Sequence, residues 1–239
     1  MAERTSQVKR IADIYTKATR VVVWLGPASE DSSMAIDFFN MICSKITVDW
    51  QTYSFQPKSA ETRWADVNIT VPVDQAQSNS ISSLLSRPWF DRLWIWQEVR
   101  LPSGDTIVKC GNQTIRWSSM CQAIFYLYRM HLSGSDHDHL KTRVISIFQL
   151  CDRHSCDYAP PTGLPNDTKY CKCSDPRDRV FALLSLINPN EKVTGIEADY
   201  SKTASEVYRN AVLCTIKSRQ ILDIMATTGL EQSNSGLPS

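Results

Sequence analysis

The residues of this chain best suited to chemistry are carboxylates, thiols and imidazoles, and they gather in a few places. Trp94 and Glu98 lie four apart in the run Trp94-Ile95-Trp96-Gln97-Glu98, so on a helix they share a neighbouring face. Spacing alone makes Glu98 a solvated helical charge paired with Arg92 or Arg100. Cys151-x4-Cys156 and Cys171-x-Cys173, with His154 between, raise a zinc site. Their spacings depart from the two to four residues usual between paired ligands, which makes loop thiols the preferred reading, and no metal is assigned. Asp136, His137, Asp138 and His139 follow Ser133-Gly134-Ser135 and read as an exposed loop or helix cap. In Asp175-Pro176-Arg177-Asp178-Arg179, Asp175 can cap a helix that begins at Pro176. Arg177 and Arg179 then pair with Asp178 or with a neighbouring subdomain. The chain holds no P-loop, Gly-x-Gly-x-x-Gly, Gly-x-Ser-x-Gly or His-Glu-x-x-His.

The elements that would position these groups follow from periodicity. Val8, Ile11, Ala12, Tyr15 and Ala18 form an apolar stripe, so Thr5–Ala18 is expected to be a helix. Val21–Leu25 is a continuous β-branched run without polar alternation, the pattern of a strand buried on both faces. Gly26-Pro27 ends it. A helix is expected over Asp31–Cys43, an irregular excursion over Ser44–Asn79, and a dense segment over Ser82–Leu101 in which Pro88 takes the first turn of a helix. Trp89 and Trp96 read as core anchors. Thr106–Cys110 is a second strand. Further helices are expected at Met120–His131, Leu140–Leu150, Pro176–Ile187 and Ala204–Lys217. Arg153–Ser174 reads as a loop, and Arg219–Ser239 as a short element with a frayed tail. Strand and helix in this order imply an α/β doubly wound sheet, with a mainly helical region behind it.

Composition narrows the class. The 239 residues carry 26 Lys plus Arg against 25 Asp plus Glu, without the basic footprint of a nucleic-acid binder. No apolar run approaches the roughly 18 residues that a membrane span needs. The polar start Met-Ala-Glu-Arg-Thr-Ser-Gln has no apolar signal region, so a cytoplasmic location is expected and the eight Cys read as thiols. The sequons at Asn68, Asn112 and Asn166 carry little weight against that.

Four blocks resemble a known family: Glu3-Arg4-Thr5-Ser6-Gln7-Val8 with Ile11-Ala12-Asp13-Ile14-Tyr15 behind it; Ala18 to Pro27; Arg87-Pro88-Trp89-Phe90-Asp91-Arg92-Leu93-Trp94-Ile95-Trp96-Gln97-Glu98-Val99; and Asp175-Pro176-Arg177-Asp178-Arg179-Val180-Phe181-Ala182-Leu183-Leu184. In order and spacing they resemble the heterokaryon incompatibility (HET) domain of filamentous fungi. The resemblance implies a HET domain over residues 1–117, followed by a helical region over 118–239. HET domains usually begin with a further strand ahead of the first block, so a shortened sheet is expected here.

The same resemblance implies more. HET domains are distant relatives of the Toll/interleukin-1 receptor (TIR) fold, some members of which cleave NAD at the nicotinamide–ribose bond. In those enzymes a glutamate follows a Trp by four residues. Carried over, Glu98 becomes the catalytic carboxylate, and Trp94, Gly26 and Pro27 become contacts of the nucleotide. NAD would be a substrate, with no resident cofactor. A carboxylate suits that reaction because departure of a cationic nicotinamide leaves an oxocarbenium-like ribosyl group that it stabilises. An aromatic face can pack on a ring or on developing positive charge. The implied process is incompatibility and programmed cell death, with self-association or other death-pathway proteins as partners. The alternative from another class is a scaffold module without catalysis.

Overall fold

The structure is a computed structural model and describes residues 2–58, 60, 62–66, 73–129, 137–151, 168–187 and 195–219. The chain is mixed α/β and mostly helical. It divides into two compact units, one from residues 1–18, 92–103 and 155–239, the other from residues 19–91 and 104–154. They are called the helical unit and the sheet unit below.

The sheet unit is built on β1 (Arg20–Trp24), β4 (Asp105–Cys110) and β5 (Gln113–Arg116), in the order β1-β4-β5. β1 runs parallel to β4, with Arg20 opposite Asp105 and Trp24 opposite Lys109. β4 and β5 are antiparallel and joined through Gly111, whose φ is +54°. Among the described strands, parallel pairing is therefore confined to β1 and β4; a parallel bridge also joins Arg92 and Lys172 outside them. β1 differs from expectation in a second way. Val21 and Val23 are buried, but Val22 and Trp24 are 54% and 55% exposed. Among the described residues the strand pairs on one side only and buries one face, so its apolar run does not mark a strand covered on both faces.

Helices α2 (Ser32–Lys45), α3 (Gln75–Leu85), α5 (Trp117–Arg129) and α6 (Asp138–Cys151) pack in this unit, α2 against α3 and α5, and α6 against α3 and α5. Ala35, Ile36, Phe39 and Ile42 form the buried side of α2, at the i, i+1, i+4, i+7 spacing of an amphipathic helix. The expected irregular excursion has structure of its own: a hairpin of β2 (Ile46–Asp49) and β3 (Ser54–Pro57), then the start of α3. Trp50, Tyr53 and Phe55 from the hairpin surround Phe125 at centroid distances of 5.2–5.9 Å. Period-2 alternation is short there, which hides the strands. Asp74 caps α3 by a capping box: its Oδ1 accepts from Gln77 N–H at 2.7 Å, and Gln77 Oε1 accepts from Asp74 N–H at 3.1 Å.

The helix expected to begin at Pro88 starts later than expected. α3 ends at Leu85, Pro88–Asp91 forms a 3-10 turn, and α4 (Ile95–Arg100) is the helix that follows. The residue before a proline disfavours helix, so α3 ends ahead of Pro88. Trp89 and Trp96 are core residues as expected, 7% and 2% exposed.

The helical unit contains α1 (Ala2–Lys17), α4, α7 (Asp178–Phe181) and α8 (Ala204–Arg219). Phe181, Ala198, Tyr200 and Val207 form its core, and Val8, Val180 and Leu184 pack against them. The helix expected from Pro176 is regular only over α7. Beyond it the bonds run i+3→i, as from Leu186 N–H to Leu183 C=O at 3.0 Å, which is 3-10 geometry. His131, Asp136, His154, Cys156, Asn68, Asn166, most of the 153–174 loop and the 220–239 tail lie outside the described residues.

Candidate functional site

Trp94 and Glu98 lie in the helical unit, while Gly26 and Pro27 lie in the sheet unit. Each set has a defined local geometry.

Trp94 precedes α4, and its carbonyl accepts from Gln97 N–H at 3.1 Å and Glu98 N–H at 3.3 Å. That first turn fixes the Trp–Glu pair on one face. The Glu98 side chain is 13% exposed, so it is no solvated surface charge. Arg92 lies 3.7 Å from it, one of the two basic partners that spacing offered. Tyr15 of α1 belongs to the same group. Burial first, then the neighbouring Glu98 charge, pushes its phenol above the usual range, against the pull of Arg92. This cluster has one carboxylate, one guanidinium and one protonated phenol. A carboxylate so screened from water can stabilise adjacent positive charge strongly.

The Trp94 indole has a second role that spacing did not reveal. Its Nε1–H donates to Asp178 Oδ2 at 3.3 Å. Asp178 also accepts from Arg4 Nη2 at 3.1 Å and from the Tyr200 hydroxyl. Asp175 accepts from Arg4 Nη1 at 2.9 Å, and from Arg177 through N–H at 3.0 Å, Nε at 2.9 Å and Nη2 at 2.8 Å. Arg177 Nη1 continues to the carbonyls of Tyr200 and Lys202 at 2.8 and 2.9 Å. The Arg4 guanidinium lies 4.2 Å from the centroid of the Tyr200 ring. Hydrogen bonds from Arg177 hold the Asp175 carboxyl below the usual carboxylate range. Burial, then the bond to Asp178, pushes the Tyr200 phenol far above its ordinary value, so it stays a donor. Every oxygen of these two aspartates carries two donors, which leaves no lone pair for a substrate. They are a clamp that joins the N-terminal block, Trp94 and the 175–184 block. Arg179 does not pair with Asp178 here; it reaches the carbonyls of Thr168, Lys169 and Cys171. Sequence reasoning treated Asp175–Arg179 as a local cap and missed Arg4 and Tyr200 as its partners. The pairing spans more than 170 residues between Arg4 and Asp175, beyond the reach of any local signal.

The loop after β1 is fixed from within the sheet unit. Gly26 has φ +106°, a conformation L side chains rarely adopt. Arg87 Nη1 donates to the carbonyls of Leu25 at 2.9 Å and Pro27 at 2.8 Å, and its Nη2 to Ser29 Oγ at 3.2 Å. Gly111 N–H donates to Gly26 C=O at 2.9 Å. Arg87 thus holds this loop in place, a role that the block Arg87–Val99 contained without revealing it. A cavity of about 320 Å³ in the same unit is lined by Trp50, Thr106, Trp117, Ser118, Cys121 and Cys151, not by Gly26 or Pro27. Among the described residues, no group of three His, Cys, Asp or Glu is placed to hold a metal ion. No described helix is long and apolar enough to cross a membrane.

Residues 1–98 match the family described as Heterokaryon incompatibility protein (HET). The match takes in the first two blocks and nearly all of the third. In particular, the chain is similar to Heterokaryon incompatibility protein 6, OR allele, of Neurospora crassa, with 29% identity over 132 residues. The alignment covers 47% of this chain and 18% of that relative, so the chain spans less than a fifth of the relative's length. No solved structure matches.

Proposed function

We propose that this chain acts in heterokaryon incompatibility and the programmed cell death that follows it. The observation that carries the reading is the HET match over residues 1–98, joined by the similarity to a named incompatibility protein of Neurospora crassa. The finer proposal concerns chemistry. By likeness to the TIR fold, the domain cleaves NAD at the nicotinamide–ribose bond, and Glu98 stabilises the developing ribosyl cation. Its support is local: a carboxylate 13% exposed, in a helix turn fixed by Trp94, beside Arg92 and Tyr15. In this reading Trp94 and the Gly26-Pro27 loop contact the nucleotide, and the domain works in the cytoplasm. Nicotinamide release from NAD by the purified chain tests it. The wild type is expected to turn over NAD, and Glu98→Gln to lose at least about a hundredfold in rate. Equal rates would remove Glu98 from the chemistry.

The second reading is a scaffold that self-associates or recruits death-pathway proteins without catalysis. It is favoured by the saturation of Asp175 and Asp178 and by the exposed strand β1. Killing by a Glu98→Gln chain would select it.

A further inference from the structure

The cavity of about 320 Å³ in the sheet unit contains a polar group that the fold leaves unanswered. Thr106 lines it and is only 5% exposed, yet its Oγ1 has no hydrogen-bond partner among the described residues. Buried hydroxyls are nearly always bonded, and one without a partner costs stability, so each such case asks for an explanation. The backbone fixes where this hydroxyl sits. β4 pairs with both β1 and β5, Thr106 stands opposite Val21, and alternation puts it on the buried side with Val108 and Cys110.

The walls are preformed as well. Trp50 and Trp117 both line the cavity. The Trp50 ring is held by Phe125 at 5.3 Å and Tyr53 at 6.5 Å between centroids, and the Trp117 ring by Trp89 at 5.8 Å. Ser118 brings a second hydroxyl to the lining, and Asp105 is the charged residue among the described ones there. No described lysine or arginine lines the space.

We propose that this cavity binds a small, flat, uncharged aromatic molecule whose hydrogen-bonding group meets Thr106 Oγ1. Two indoles offer apolar faces and edges to a ring, and a threonine hydroxyl can donate or accept. An anion entering here would lose its water without gaining a cationic partner, and Asp105 would repel it. The site therefore discriminates against nucleotides and other phosphates. Its volume lies at the low end of the roughly 300–1,000 Å³ of small-molecule sites, which suits one or two fused rings. Glu98 does not line it, so the proposal stands apart from NAD cleavage.

Calorimetric titration of the full chain with indole-3-ethanol tests this. Binding is expected with a dissociation constant below about 1 mM. Indole-3-acetate, which carries a carboxylate on the same ring, is expected to bind at least about tenfold more weakly. Thr106→Val should weaken indole-3-ethanol by about threefold to tenfold. Without the probe, the same variant should melt at or above the wild-type temperature, because the unanswered hydroxyl is gone. Ser118 is exposed, so Ser118→Phe should leave the melting temperature unchanged and abolish binding by filling the space. No heat from indole-3-ethanol would mean a cavity that holds water alone and would overturn the proposal. So would equal affinity for indole-3-acetate, or unchanged binding by Thr106→Val or Ser118→Phe. A lower melting temperature of Thr106→Val without the probe would also overturn it, by showing that the fold already answers the hydroxyl. Nicotinamide release is measured separately, so failure of the enzymatic reading leaves this result untouched.

Discussion

The two units of this chain reach stability by different physics. The sheet unit relies on area: Phe39, Ile42, Ile81, Leu84 and Ile124 are at most 2% exposed, and Phe125 sits in a cage of rings from the β2–β3 hairpin. Burial of this kind is nearly indifferent to pH and salt. The helical unit adds to its apolar core a charged clamp of Arg4, Arg177, Asp175, Asp178 and Tyr200. A clamp depends on protonation and on every partner being present. The lesson is that the most polar of the four sequence blocks are there to assemble a unit from distant segments, whereas the apolar β1 block builds a sheet.

That contrast can be broken or sharpened in order of effect. Phe39→Ala should destabilise the sheet unit by about 4 kcal/mol, equally at low and high salt, by urea unfolding followed through tryptophan fluorescence. Asp178→Ala should cost the helical unit about 3 kcal/mol, because Arg4, Tyr200 and Trp94 lose a buried acceptor; limited proteolysis should then cut near residues 175–184 first. A Phe39→Ala loss that depends on salt, or an Asp178→Ala chain as resistant as wild type, would erase the distinction.

Acidity probes the same difference. The folded carboxyl of Asp175 is depressed, so its contribution is present above the unfolded value near 4 and is lost as pH falls below it. The Tyr200 phenol is raised, so its contribution is present below about pH 10 and is lost as pH rises beyond that. The helical unit should therefore weaken at both extremes. Asp175→Asn should flatten the acid limb and Tyr200→Phe the alkaline limb, as read by thermal melts from pH 3 to 11. Gly111→Ala makes a smaller test of the sheet unit. A Cβ there meets Ala28 Cβ and N at 2.8 Å, and φ is +54°, so a loss of about 1–2 kcal/mol is expected.

Much of this was legible in the sequence, for reasons that differ by element. α1, α2, α5, α6 and α8 carry long apolar periodicities and fall within a few residues of expectation. The strands at 20–24 and 105–110 were visible as β-branched runs, but a run cannot report whether a second face is covered, and Val22 and Trp24 are open. The β2–β3 hairpin escaped because each strand is only four residues long. At the candidate site, the Trp94–Glu98 turn was legible from spacing. The bond from Trp94 to Asp178 was not, because it joins residues 84 apart in sequence. Arg87 illustrates the same limit: its carbonyl partners Leu25 and Pro27 lie some 60 residues earlier, and nothing local foretells them.

The proposal with most at stake is that the region matching the HET family promotes cell death, with Glu98 as its reactive carboxylate. Induced expression in a filamentous fungus, with hyphal viability scored for wild type and Glu98→Gln, tests it most directly. The account predicts killing by wild type and survival with Glu98→Gln at equal protein level and unchanged melting temperature. Killing by both chains, or by neither, would contradict it.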